Sequence, residues 1–130
     1  MKSIALGFAA AILSVSAAYA DDPAKPVQTS VGMVLAAPNG MTLYTFDKDT
    51  KGAAMSACVD KCIVNWPPFV AAAGATASGK WTIVDVKDKD GAAVKMWAYD
   101  GWPLYYFVKD TKAGDVAGDG VGGVWHVVKM

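Results

Sequence analysis

The feature that most restricts how this chain can fold is a motif written twice. "NGMTLYTFDKDTK", Asn39 to Lys51, returns as "DGWPLYYFVKDTK", Asp100 to Lys112, without a gap, at an offset of 61 residues and with 8 of 13 positions identical. Within each copy the side chains alternate. Leu43 and Leu104 point one way, and Tyr44 with Phe46, and Tyr105 with Phe107, point the other. Both faces are apolar, so each repeat strand is expected to be central and covered on both sides. Two packed sheets or a closed barrel meet that demand, and one sheet with a wet face does not. Each hairpin then buries its aromatics under the other.

The rest of the chain agrees. "SVGMVLAA" and "MTLYTF" flank Pro38-Asn39-Gly40, and "AAVKMWAY" and "WPLYYF" flank Asp100-Gly101. Asx-Gly pairs tolerate positive φ and signal hairpins. "WTIVDV" enters the second hairpin through "KDKDG", and "GVWHVVKM" closes the chain as a strand. Six strands follow, with Phe69 to Ala73 available as a seventh. One segment breaks the pattern: Ser56 can cap a short helix to about Val64, which Trp66-Pro67-Pro68 ends. The expected fold is mainly β: two pseudo-repeated antiparallel hairpins forming a small sandwich or barrel of six to seven strands, with one short helix carrying the cysteines.

The first 20 residues stand apart from that fold. "MKSIALGFAAAILSVSAAYA" has a basic start at Lys2, an apolar run and the small-x-small ending Ala18-Tyr19-Ala20, which reads as a signal peptide cut after Ala20. The remaining chain of about 110 residues suits one domain. Residues 21–29, with two prolines and polar neighbours, read as a flexible lead. Residues 30–130 read as a single β domain, duplicated over about 30–70 and 80–130. Setting Lys2 aside leaves 11 basic against 12 acidic residues, which gives no reason to expect nucleic acid or an anionic membrane as partner. No membrane span is expected after cleavage. The expected address is outside the cytoplasm, in the periplasm first and the extracellular medium second.

The spacing Tyr44-x-Phe46-x-x-Asp49, repeated as Tyr105-x-Phe107-x-x-Asp110, resembles the bacterial secreted-repeat family of predicted lipoproteins. "SACVDKCIVNWPPF" resembles that family's second hallmark, a Ser-x-Cys-x-x-x-Cys stretch running into Trp-Pro-Pro. The resemblance spans nearly all of the exported chain and implies no established activity. Many members carry lipid on a cysteine, and this chain has none at its cleavage site.

Each group that could do chemistry has a plainer reading beside it. Cys58 and Cys62 are the only cysteines and lie four apart. In an oxidising compartment they form a disulfide, and i, i+4 helical positions lie near the upper limit of Cα separation for one. The alternative is a copper or redox site, because thiolates select Cu(I) and His126 is the only histidine left as third ligand. That arrangement resembles the Sco-type oxidase-assembly proteins, whose alternating strands and long helices this chain lacks. His126 lies in "VWHVV", opposite in direction to Trp125 and Val127, where a lone strand histidine is usually solvated. The acidic turns at Asp47 and Asp49, Asp88 and Asp90, and Asp115 and Asp119 invite calcium, but none meets the loop pattern, and the chain has no glutamate. Asp49 and Asp110 fall just past strand ends, where a carboxylate accepts backbone N–H groups and fixes a turn, helped by Thr50 and Thr111.

The chain holds five Trp, five Tyr and four Phe, enough to fill a small core with rings. Exposure of Trp66, Trp97 or Trp102 would mark a carbohydrate or partner surface. No nucleophile elbow or glycine-rich phosphate loop is present, so an enzyme is the weakest reading. The expectation is a non-catalytic exported β domain with a binding or structural role, without a cofactor, acting on an envelope partner or small ligand. The alternative is a small copper-binding or redox protein.

Overall fold

The structure, a computed structural model, describes residues 22–130, so the expected signal peptide at 1–20 lies outside the described residues. Seven strands form among the described residues: β1 Lys25–Thr29, β2 Gly32–Ala36, β3 Tyr44–Phe46, β4 Trp81–Lys87, β5 Ala93–Tyr99, β6 Trp102–Pro103 and β7 Trp125–Val127. They make three small antiparallel sheets, ordered β1-β2, β3-β7 and β4-β5-β6. Among the described residues one short α-helix, α1 Lys61–Asn65, carries Cys62, with Cys58 three residues ahead of it and not in it as expected. The arrangement is sandwich-like and not a closed barrel. No helix among the described residues is long and apolar enough to cross a membrane.

Both Asx-Gly turns form, by different routes. Asp100 and Gly101 both take positive φ, 52° and 86°, the geometry of a two-residue hairpin loop. At the first turn only Gly40 does, with φ 86°. There the Gly40 N–H donates to Ala37 O at 2.8 Å and the Ala37 N–H to Met41 O at 2.9 Å, a three-residue loop with glycine in the left-handed position. Pro38 sits in the second position of that turn, where its fixed φ fits. "KDKDG" repeats the pattern, with the Gly91 N–H on Asp88 O and the Asp88 N–H on Ala92 O.

Alternation partitions the core as the sequence requires. Tyr44, Phe46, Tyr105 and Phe107 join Trp66, Trp125, Val34, Val84 and Met96 in one cluster. Leu43 and Leu104 join Leu35, Phe69 and Trp81 in the other. Both repeat strands are therefore covered on both faces.

The two repeats also exchange their last segments. After the first motif the chain crosses over, so that Pro68 bridges to Tyr105 and Val70 to Met96, both in the second repeat. After the second motif it returns: Val127 pairs with Tyr44 in β3, and Lys129 bridges to Val34 in β2. Equivalent hydrogen bonds support the two crossings. The Leu35 N–H donates to Val128 O and the Trp97 N–H to Phe69 O, each at 2.9 Å. β1-β2 and β4-β5-β6 each form within one repeat, whereas β3-β7 joins the two.

Three expectations need correction. Residues 25–29, read as part of a flexible lead, form β1, paired along its whole length with β2 from Lys25↔Ala36 to Thr29↔Gly32. Its polar residues and Pro26 suit an edge strand with one wet side, a composition that also reads as linker. The helix expected from Ser56 begins only at Lys61, after Asp60 at a positive φ of 57°, because Ser56 turns inward to Tyr105. The seventh strand is β1, while the Phe69–Ala73 stretch contributes one isolated bridge, from Val70 to Met96.

Candidate functional site

The two motif copies meet each other. Tyr44 and Tyr105 form a reciprocal antiparallel pair, with the Tyr44 N–H on Tyr105 O at 2.8 Å and the Tyr105 N–H on Tyr44 O at 3.0 Å. A local two-fold axis therefore passes between them. Each phenol crosses it. Tyr44 OH donates to Asp110 Oδ2 at 2.6 Å, and Tyr105 OH donates to Asp49 Oδ2 at 2.7 Å. The motif spacing explains the reach. Tyr and Phe share a face at i and i+2, and a turn closed by the Asp49 N–H on Phe46 O, or the Asp110 N–H on Phe107 O, folds the carboxylate back over that face.

The remaining oxygens are also engaged. Asp49 Oδ1 accepts the Ala57 N–H at 2.7 Å, and Asp110 Oδ1 accepts the Ala117 N–H at 2.9 Å. Each motif aspartate thus accepts a backbone N–H, as expected, and pins the loop that follows its own strand as well as the other copy's phenol. The Gly118 N–H donates to Tyr44 OH at 3.1 Å, and Ser56 Oγ shares a hydrogen bond with Tyr105 OH while accepting the Cys58 N–H at 3.0 Å. Tyr44 and Tyr105 are 0 % exposed, Asp49 5 % and Asp110 7 %. No buried side-chain polar atom among the described residues lacks a partner.

Rings close the axis from the same side. Phe46, Trp125, Trp66 and Phe107 stack in that order, with centroid spacings of 4.3, 3.7 and 4.1 Å. Tyr44 meets Trp66 edge-on at 5.5 Å, and Tyr105 meets Trp125 edge-on at 5.2 Å. Such pairs add about 0.5–1.5 kcal/mol each beyond the area they bury. Trp125, Ala57 and Gly118 belong to this assembly and were not singled out by the sequence, and Ser56, read there as a helix cap, belongs to it as well. A signal for Trp125 existed, since one tryptophan follows each motif and precedes the segment that crosses over.

Electrostatics suit a closed circuit better than a reactive one. Burial, helped by the hydrogen bond to Asp110, pushes the Tyr44 phenol far above its usual value. Burial does the same at Tyr105, where the Asp49 charge adds to it. Burial also raises both carboxyls, against the opposing hydrogen bonds from Ala57 and Tyr105 at Asp49 and from Tyr44 and Ala117 at Asp110. A phenol that holds its proton so firmly and faces a carboxylate serves as a fixed donor.

The other sequence candidates fall elsewhere. Cys58 and Cys62 are joined as a disulfide with Cα atoms 5.2 Å apart, and Cys58 is fully buried. His126 lies on β7 with its Nε2 2.8 Å from Asp47 Oδ2, at a half-exposed position between buried Trp125 and Val127. The three residues of the copper reading are therefore not assembled: the sulfurs bond each other and the imidazole pairs with a carboxylate. No group of three His, Cys, Asp or Glu side chains arranged for a metal occurs among the described residues. The acidic turns use their oxygens internally. Asp88 Oδ1 accepts the Asp90 and Ala92 N–H groups, Asp115 Oδ2 those of Thr111 and Lys112, and Asp119 Oδ1 that of Val127. Of the three tryptophans in question, Trp66 is buried, whereas Trp97 and Trp102 are half-buried.

A family described as a "secreted repeat of unknown function" has a model that matches the chain twice, over residues 25–70 and 84–129. The chain belongs to that family. It is accordingly an exported protein, and the family's repeat is the unit seen in the fold: the first match begins with β1 and ends at Val70, and the second ends at Lys129, the residues that bridge to the opposite repeat. No curated protein and no solved structure matches the chain.

Proposed function

We propose that this protein is a non-catalytic binding module of the periplasm, in which the duplicated motif is the framework and the outward surface makes the contacts. One observation carries the reading: the motif's phenols and carboxylates are buried and bonded to one another across the two-fold axis. Groups engaged in this way hold a fold together and offer nothing to a substrate. The variable positions of the repeat lie where they can differ without disturbing that circuit. Thr45 stands in the position of Tyr106, Met41 in that of Trp102, and Asp47 in that of Val108.

The test separates framework from surface and checks the address. Asp49→Asn should lower the melting temperature, and the wild-type chain should appear in the osmotic-shock fluid of its bacterial host. An Asp49→Asn protein as stable as its parent would give the motif a working role and overturn the framework. Recovery only from the growth medium would overturn the address.

A further inference from the structure

The two repeats differ beside the Asp100-Gly101 turn, and a cleft lies there. A cavity of about 530 Å³ is lined by Tyr99, Trp102, Thr45, Lys80, Asp100 and the β7 end, including Lys129. Tyr99 and Trp102 are direct cross-strand partners of β5 and β6, so their rings stand side by side on one face of the sheet. Both are half-buried. Tyr99 is backed by Trp81 at 4.9 Å, which fixes its plane.

The other repeat supplies an internal control. Hydrogen bonds of equal form, Leu43 N–H on Leu35 O and Leu104 N–H on Trp97 O, align the two hairpins. On that alignment Ala37 stands where Tyr99 does, and Met41 where Trp102 does. Thr45 is matched by Tyr106, whose ring packs edge-on at 5.8 Å against Phe69, the counterpart of Val128 in the cleft wall. One copy fills this position with a tyrosine. The other leaves it open and puts two rings beside the opening.

Charge narrows what fits. Lys80 Nζ lies 5.9 Å from the Tyr99 centroid and has no salt-bridge partner among the described residues. A second depression of about 480 Å³ shares Lys80 and Asp100 with the first and continues to Lys51. The groove thus runs past three lysines and one aspartate; Asp100 sits 3.9 Å from Lys51, the Lys129 ammonium donates to Val31 O, and Lys80 is the ammonium left to a ligand. Flat apolar rings with polar rims suit the C–H face of a pyranose, the Thr45 hydroxyl suits its hydroxyls, and the ammonium groups suit acidic substituents.

From these features we infer that the groove between the Asp100-Gly101 turn and β7 binds an acidic oligosaccharide, with Trp102 and Tyr99 as the stacking platform and Lys80 as the carboxylate contact. This rests on the binding-module reading and names its ligand class. The experiment is calorimetric titration of the exported chain with trigalacturonate, with neutral maltotriose and citrate as comparison probes. Trigalacturonate should bind at least about tenfold tighter than either, a difference of about 1.4 kcal/mol. Trp102→Ala should weaken it about tenfold, and Lys80→Gln, an exposed change, severalfold. Thr45→Tyr, which imports the other repeat's residue, should abolish binding with the melting temperature kept. Citrate binding as tightly as trigalacturonate, equal binding of maltotriose, no binding of trigalacturonate at millimolar concentration, or indifference to Thr45→Tyr and Lys80→Gln would each overturn the assignment. Those failures leave the framework reading standing, because that reading is judged by melting and fractionation.

Discussion

Tyr44→Phe isolates the bond that ties one repeat to the other. The substitution keeps the ring, so the edge contact with Trp66 at 5.5 Å survives and no cavity opens. It deletes one hydroxyl that donates to Asp110 Oδ2 at 2.6 Å and accepts from the Gly118 N–H at 3.1 Å. A buried hydrogen bond to a charged acceptor contributes about 1.5–3 kcal/mol, and stranding a buried N–H costs about 1 kcal/mol more. The expected loss is therefore about 2.5–4 kcal/mol, and for a domain near this size each kcal/mol moves the melting temperature by about 4 °C or more. Chemical denaturation of wild type, Tyr44→Phe, Asp110→Asn and the double variant measures it as a cycle. The coupling between the two side chains should be at least about 1 kcal/mol. Additive single effects, or a Tyr44→Phe protein within about 0.5 kcal/mol of wild type, would refute the claim that the crossed phenol–carboxylate bonds hold the repeats together.

Three further outcomes follow from the same geometry. Burial raises the Asp49 and Asp110 carboxyls, so the folded state takes up these protons at higher pH than the unfolded chain, which titrates near about 3.9. Stability from these groups should rise as pH falls from neutrality through their folded values, and Asp49→Asn/Asp110→Asn should lose that gain; equal pH slopes for both proteins in denaturant melts would contradict it. Gly118→Ala places a Cβ 2.9 Å from Trp66 Cζ3 and from the Tyr44 ring, both rigid, and should cost about 1–3 kcal/mol in a denaturant melt, with an unchanged midpoint as the contrary result. A chain ending at Gly79 lacks Val127 and Tyr105, the two strand partners of Tyr44, and should show no cooperative melt as a monomer. Adding residues 80–130 should restore one. A cooperative monomeric melt of the first half alone would contradict the strand exchange.

Much of the architecture is local and was legible in the residues. Period-two alternation assigned Leu43 and Leu104 to one core and the Tyr-Phe pairs to the other, as the two clusters show. Positive-φ dipeptides marked Asn39-Gly40 and Asp100-Gly101 as turns, and both hairpins close there. Local composition misled where one pattern serves two states: β1 carries Lys25, Pro26 and polar residues like a linker because it is an edge. Ser56 resembled a helix cap but is oriented by Tyr105, 49 residues away. That partner is invisible to any short window.

Sequence alone determined that two copies of one β unit must cover each other, because each strand has two apolar faces and no local cover for either. Only the tertiary structure decided that they do so by trading their final segments, stacking Trp66 on Trp125 and crossing each phenol to the other copy's aspartate. The physical reason is range. Alternation and turn chemistry act within a few residues, whereas strand pairing and buried hydrogen-bond partners are chosen by packing across the whole chain. The cleft beside Trp102 is of that second kind, since it depends on Thr45 and Lys129 arriving from opposite ends of the sequence.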